Sequence, residues 1–181
     1  MADIDKFRDM FFDPEEILLS MSNDQGRRMA PMASNGSDVV AFKLADQDFC
    51  IDIGLVREIR GWTLTTMLPH APDYVKGVIN LRGSVVTVVD LSARLGFGAA
   101  TPSHRHVVII AMHAGRIVGL LADLVSDILP INDDHIQAVP DIASNPAREF
   151  IVGMITLEDG RILRKIALAQ LLPTAHGVDA A

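Results

Sequence analysis

The chain has 181 residues, of which 49% are hydrophobic and only 5% aromatic, so it can bury a substantial core built from aliphatic side chains. Sixteen basic and 23 acidic residues give a net charge of −7, which argues against nucleic acid or an anionic membrane surface as the main partner. The single cysteine, Cys50, excludes an internal disulfide and fits a reducing compartment, and its apolar neighbours favour a buried, unreactive thiol.

Residues 1–38 differ from the rest in composition, because they carry eight acidic and four basic residues and so hold much of the net charge. The string DPEE at residues 13–16 is typical of a helix start. Residues 22–38 are polar and small, as in a flexible linker. We expect a helical or disordered extension, serving as an amphipathic docking element or a tail. No signal peptide begins the sequence and no apolar run is long enough to span a membrane, which predicts a cytoplasmic protein.

From Val39 onward the pattern is one of short apolar strands separated by turns. The strings VVAFKL and DFCIDI flank a turn at residues 45–47, and HVVIIAM and RIVGLLA flank another at residues 113–115. GVINL and VVTVVDL flank Arg82-Gly83, and GMITL and RILRKIAL flank the strong hairpin signal at residues 158–160. GLVREI predicts either a short helix or a strand extension, and LSARLGF predicts a helical turn.

The chain also resembles itself. Residues 49–59 align with residues 118–128 at an offset of 69, and residues 77–95 align with residues 153–172 at offsets of 76 and then 77. Two repeats of strands, turn and short helix predict two similar β units. Each unit is small, so the two are expected to pack on one another, and evenly spaced short strands favour barrels over a parallel sheet.

Residues with catalytic or metal-binding potential are sparse. His104 and His106, at i and i+2, would point the same way on a strand, but only the distant His113 offers a third ligand. Asp123 and Asp127, at i and i+4, would share a solvated helical face. No serine or cysteine elbow and no nucleotide-binding loop is present. Trp62 is expected to be a half-buried loop anchor.

The Arg82-Gly83 turn admits two interpretations. Glycine supplies the dihedral freedom that a tight turn needs, and arginine combines a planar hydrogen-bonding fork with an apolar stem. The residue could therefore anchor an interface with another protein, or it could be a solvated turn residue with a weak ion pair. Spacing alone does not separate these alternatives.

Three strings carry a family likeness: IDIGLVREIRG (51–61), YVKGVINLRGSVVTVVDLSARLG (74–96) and VVIIAMHAGRIVGLLADLVSDIL (107–129). Together they resemble the CheW family, the coupling scaffolds of bacterial chemotaxis. The resemblance implies an all-β fold of two intertwined, five-stranded SH3-like barrels with short helices, joined at a hydrophobic junction. It divides the chain into an extension and linker (1–38), a CheW-like domain (39–173) and a tail (174–181).

The resemblance further implies an adaptor that is not an enzyme and needs no cofactor or metal. It would join the cytoplasmic tip of a chemoreceptor to the CheA histidine kinase through the kinase's CheW-like regulatory domain, with self-association in receptor arrays as a further expectation. Glu58 and Arg82 are expected to pair. The receptor-facing surface would include Val56, Glu58, Gly77, Arg82, Gly83, Val107 and Ile128.

Two alternatives remain open at this stage: a CheW-like module of another signalling pathway, and a small enzyme that holds a metal with His104 and His106. The final strand also departs from the family pattern. Arg164 and Lys165 fall where aliphatic residues are usual, and Ala167 falls where an acid or amide is common. By strand alternation, one of the two basic side chains is expected on a normally buried side.

Overall fold

The structure, a computed structural model, describes residues 36–140 and 146–172. The predicted N-terminal helix and the C-terminal tail lie outside the described residues. Short helices are present at α1 (Leu91–Arg94) and α2 (Leu168–Leu171), with 3₁₀ turns at Ile53–Leu55, Asp133–His135 and Arg148–Phe150. The strands are β1 (Gly36–Leu44), β2 (Gln47–Asp52), β3 (Val56–Gly61), β4 (Val75–Leu81), β5 (Ser84–Asp90), β6 (Val107–His113), β7 (Arg116–Ala122), β8 (Leu124–Asn132), β9 (Ile136–Gln137), β10 (Ile151–Thr156) and β11 (Ile162–Ile166).

The strands form two sheets, each built from both halves of the chain. The first sheet has the order β8-β1-β2-β11-β10-β9, and the second has the order β3-β6-β7-β5-β4. Position by position, β8, β1, β2, β11 and β10 correspond to β3, β6, β7, β5 and β4, as the internal repeat requires. The predicted pair of intertwined barrels is confirmed. The predicted number of five strands holds for the second sheet, whereas the two-residue β9 adds a sixth strand to the first sheet.

Several strands are buried on both faces, which explains their continuous apolar runs. On β1, Val40, Phe42 and Leu44 pack into a central cluster, whereas Val39 and Ala41 point the other way into a smaller one. Strand β6 divides its side chains in the same manner between the central cluster and a third. The central cluster takes residues from both sheets and is the predicted hydrophobic junction.

Tight hairpins connect neighbouring strands where the sequence predicted turns. In three of them both loop residues have positive φ, the geometry that matches the twist of the flanking strands: residues 45–46, 82–83 and 114–115. The segment GLVREI contains both predicted alternatives, since a 3₁₀ turn at Ile53–Leu55 leads directly into β3. Trp62 is half-buried against the cluster inside the second sheet, as expected.

Candidate functional site

The β4–β5 hairpin presents Arg82 to solvent. Arg82 and Gly83 adopt φ values of +50° and +90°, and the Asn80 side-chain oxygen accepts a hydrogen bond from the Gly83 N–H at 2.8 Å. The turn is therefore held by its own side chain as well as by strand pairing. The Arg82 side chain is 78% exposed. This geometry displays a guanidinium at the end of a rigid support.

Glu58 on β3 is the partner of that guanidinium. Its Oε2 accepts a hydrogen bond from Arg82 Nη2 at 3.0 Å, and its Oε1 lies 3.9 Å from Arg60 Nη1. Because β3 and β4 are the two terminal strands of the second sheet, the Glu58–Arg82 contact links one edge of the sheet to the hairpin at the other. The half-buried carboxylate orients the guanidinium, which stays largely exposed to solvent.

Gly77 shapes the hairpin from within. It is buried, has a φ of +130°, and leaves no room for a Cβ, which would collide with the carbonyl oxygen of Thr66. Thr66 and Val78 exchange two backbone hydrogen bonds at 2.8 and 2.9 Å, which bring the loop after β3 against β4. At this position the structure shows a buried glycine that allows the close backbone approach of Thr66. The place of Gly77 in the receptor-facing surface stays a prediction.

The remaining sequence-predicted residues are not all brought together. Val56 and Val107 are both half-buried against the central cluster, and they lie at opposite ends of the β3–β6 pair. Ile128 is exposed on β8 of the first sheet, opposite Val40. Arg82, Gly83 and Glu58 therefore form one compact group, with Val56 two residues from Glu58 on the same strand.

The sequence did not predict several exposed apolar side chains in this part of the molecule. Leu64 and Met67 are 93% and 83% exposed on either side of Thr66, and Val85 is exposed on β5. Val85 lies in the apolar run of β5, but it faces outward because successive side chains of a strand point to opposite faces. The signal available in the sequence was the string WTLTTML, whose apolar residues occur in a loop.

The two histidines and two aspartates singled out in the sequence do not have the expected geometry. Strand β6 begins at Val107, so His104 and His106 lie before it in a turn. The helical face assigned to Asp123 and Asp127 is wrong, since Asp127 lies within β8 and Asp123 directly precedes it. In residues 36–140 and 146–172, no group of three or more His, Cys, Asp or Glu side chains could hold a metal ion.

His106 instead makes a structural contact. Its Nδ1 accepts a hydrogen bond from the Ser103 N–H at 3.1 Å, and its Nε2 lies 3.6 Å from Asp123 Oδ1. Asp123 also accepts a hydrogen bond from the Ala45 N–H at 2.9 Å. These contacts tie the entrance of β6 to the β1–β2 turn.

The basic residues of β11 are accommodated within the first sheet. Lys165 Nζ lies 2.9 Å from Asp52 on the neighbouring β2, and the Arg164 guanidinium lies 5.7 Å from the centroid of the Phe49 ring. Both side chains are half-buried. Each of the two basic residues that depart from the family pattern therefore has a partner, an acid for Lys165 and an aromatic ring for Arg164.

The fold and the site together define a protein-interaction scaffold, a double β-barrel with an oriented arginine and exposed apolar residues on its surface. Residues 38–176 match the family model described as the CheW-like domain. The chemotaxis protein CheW of Rhizobium meliloti (strain 1021) is 51% identical over 143 residues, which cover 79% of this chain and 92% of the relative.

A probable chemotaxis protein CheW of Rhizobium etli is 48% identical over 134 residues, covering 74% of this chain and 86% of the relative. Among solved structures, the scaffolding protein TtCheW from Thermoanaerobacter tengcongensis superposes with a TM-score of 0.71 at 28% identity, covering 84% of this chain and 96% of that one. The chain belongs to the CheW family, and it is a coupling adaptor of chemotaxis signalling.

Proposed function

We propose that this chain joins the cytoplasmic tip of a chemoreceptor to the CheA histidine kinase, and that Arg82 is central to the receptor-facing surface. The observation that carries the proposal is the exposed guanidinium, held by Glu58 at 3.0 Å on a hairpin stiffened by the Asn80 side chain. Arginine is an apt anchor for a protein interface because it offers a planar fork of donors above an apolar stem.

The receptor contact combines this polar group with aliphatic surface. Val56 lies two residues from Glu58 on β3. Gly83 leaves open space at the turn, because a Cβ built there meets no atom within 4 Å apart from its chain neighbours. A helical hairpin tip has the shape to dock against such an edge, with the arginine at one end of the contact and aliphatic residues along it. Val107 lies on β6 of the same sheet, at the far end of the β3–β6 pair, whereas Ile128 belongs to this surface only if the receptor spans both sheets.

The kinase partner is the CheW-like regulatory domain of CheA. Supporting this, the chain itself consists of two corresponding sheets, and it carries apolar side chains at Leu64, Met67 and Val85 that a protein partner could cover. We propose that the protein works by binding alone, with no bond made or broken. Within the described residues, no helix is both long and apolar enough to cross a membrane. We propose that association with the membrane is through the receptor.

The test is reconstitution of the full chain with CheA and a receptor tip fragment, with receptor-dependent kinase activity and fragment affinity as the two readouts. Arg82→Ala and Val56→Asp are each expected to weaken receptor binding by about tenfold or more. Arg161→Ala, which removes an arginine from the corresponding hairpin of the first sheet, is the matched control. Wild-type binding by both Arg82→Ala and Val56→Asp would overturn the site assignment, and kinase activity independent of this chain would overturn the function.

A further inference from the structure

A fully buried carboxylate lies at the end of β5. Asp90 Oδ1 accepts a hydrogen bond from the Ala93 N–H at 3.2 Å, and Oδ2 accepts one from the Ala100 N–H at 2.8 Å. The same Oδ2 lies 3.1 Å from Lys76 Nζ, which also donates to the Ala100 carbonyl oxygen at 2.8 Å. A buried charge must be paired in this way, and removing one partner alone is strongly unfavourable.

Lys76 occupies an unusual place in the strand that carries the site. Val75 pairs with Val89 and Gly77 pairs with Val88, so Lys76 is the extra residue of a β-bulge. Its carbonyl oxygen accepts a hydrogen bond from Thr65 Oγ1 at 2.7 Å. One residue is thereby held from two directions, by its ammonium group to Asp90 and by its backbone to the loop after β3.

The loop after β3 and the β4–β5 hairpin carry exposed side chains that a partner could contact: Leu64, Met67, Arg82 and Val85. Thr66 lies between the exposed Leu64 and Met67, and it pairs with Val78, two residues after Lys76. Moving the bulge would therefore move the loop and the start of the hairpin that ends at Arg82. We propose that Lys76 and Asp90 are positioning residues, whose buried ion pair sets the loop and hairpin in the arrangement that a partner recognises. This inference rests on the proposed function.

The second repeat has no ion pair at the corresponding positions. At the offsets of the internal repeat, Lys76 corresponds to Val152 and Asp90 corresponds to Ala167. Ala167 caps α2 without a side-chain hydrogen bond, whereas Asp90 caps α1 with its carboxylate. The ion pair therefore distinguishes one hairpin from its counterpart, and it does so on the sheet that displays the exposed arginine. Capping of α1 involves Asp90 Oδ1, whereas Lys76 contacts Oδ2.

The experiment compares wild type with Lys76→Met/Asp90→Asn, which removes both charges and leaves no buried charge alone. The control is Lys165→Met, which breaks the ion pair to Asp52 in the first sheet and leaves a carboxylate that is 36% exposed. Lys165 is 15% exposed and Lys76 is 21% exposed. Hydrogen exchange of the Thr66 and Val78 amides is measured without any partner, and affinity for a receptor tip fragment and for the CheA regulatory domain is measured separately.

In the double variant, exchange of the Thr66 and Val78 amides should accelerate by about tenfold or more, with native circular dichroism retained. Affinity for at least one partner should fall by a similar factor, and Lys165→Met should change neither readout. Unchanged exchange, an equal change in Lys165→Met, or faster exchange with full affinity would each overturn the positioning role. If wild type binds neither partner, the proposed function fails, while the exchange result still tests the coupling. Should the double variant not fold, Lys76→Arg, which keeps the charge, must retain slow exchange or the inference fails.

Discussion

The Asp127 carboxylate lies 3.6 Å from the Arg161 guanidinium and links edge strand β8 to the β10–β11 hairpin of the same sheet. Asp127 is the repeat counterpart of Glu58, so each sheet joins an edge strand to a hairpin with an acid and an arginine. The two acid–arginine pairs differ in how far the arginine is exposed to solvent. Arg161 is 36% exposed and is also held by Asp159 at 2.7 Å, whereas Arg82 is 78% exposed. Only the second sheet therefore presents a largely uncommitted guanidinium.

The contact between Arg161 and Asp159 in the first sheet predicts a measurable change in the pKa of Asp159 when Arg161 is replaced. Hydrogen bonds from the Arg161 backbone N–H and side chain hold the pKa of Asp159 below its ordinary value. In Arg161→Gln the side-chain bond and the positive charge are lost, so the pKa of Asp159 should rise toward that value. Carbon-detected NMR titration of the carboxyl measures it. Arg82→Gln is the control, and an equal shift in both variants would contradict the local cause.

Alanine substitutions at Gly77 and Gly83 should separate the cost of a blocked backbone approach from the cost of positive φ alone. Gly77→Ala combines a φ of +130° with a collision against Thr66, so its free energy of unfolding should fall by about 3 kcal/mol or more. Gly83→Ala meets only the conformational strain at a φ of +90°, and it should lose about 1–2 kcal/mol. Urea denaturation measures both. Equal losses would show that the close approach at Gly77 is unimportant.

Arg94 contacts two aromatic rings, and we expect these contacts to stabilise the junction between the two repeats. Its guanidinium lies 4.4 Å from the Tyr74 ring centroid and 4.7 Å from that of Phe150, and it donates to the Gln170 carbonyl oxygen at 3.2 Å. Arg94→Met should lower the free energy of unfolding by about 1–2 kcal/mol, the range for partly desolvated cation–π contacts. Arg94→Lys keeps the charge without the planar stacking and should lie between. A variant as stable as wild type would refute the contribution of these rings.

Local patterns in the sequence predicted the strands and hairpins, because alternation and turn residues act over a few positions. Two kinds of feature were not predicted from the sequence. The four-residue spacing of Asp123 and Asp127 suited a helix, but long-range pairing of β8 with β1 made the segment a strand. The Lys76–Asp90 pair depends on a bulge within a hairpin, and the register of a bulged strand is not visible until the strands are paired. The Glu58–Arg82 pair came from the family resemblance and not from spacing.

Cys50 should make stability depend on pH in the alkaline range. Burial raises the pKa of its thiol from 9.0 to about 12, with the Lys165 ammonium opposing the shift. Above pH 9 the thiol ionises in the unfolded chain and stays protonated in the folded one. The unfolded state then binds fewer protons, so the stabilisation present below pH 9 is lost as pH rises toward 12. The slope for one group is at most about 1.4 kcal/mol per pH unit.

The comparison of wild type with Cys50→Ala isolates this contribution, because every other group that titrates above pH 9 is common to both proteins. Cys50→Ala should be less stable by about 1 kcal/mol at pH 7, since it leaves a small cavity among the side chains inside the first sheet. The gap should narrow as pH rises above 9, and the two curves should cross if the thiol stays protonated in the fold. Parallel curves from pH 8 to 11 in urea denaturation would mean that the thiol ionises without unfolding, and that Cys50 is accessible to solvent.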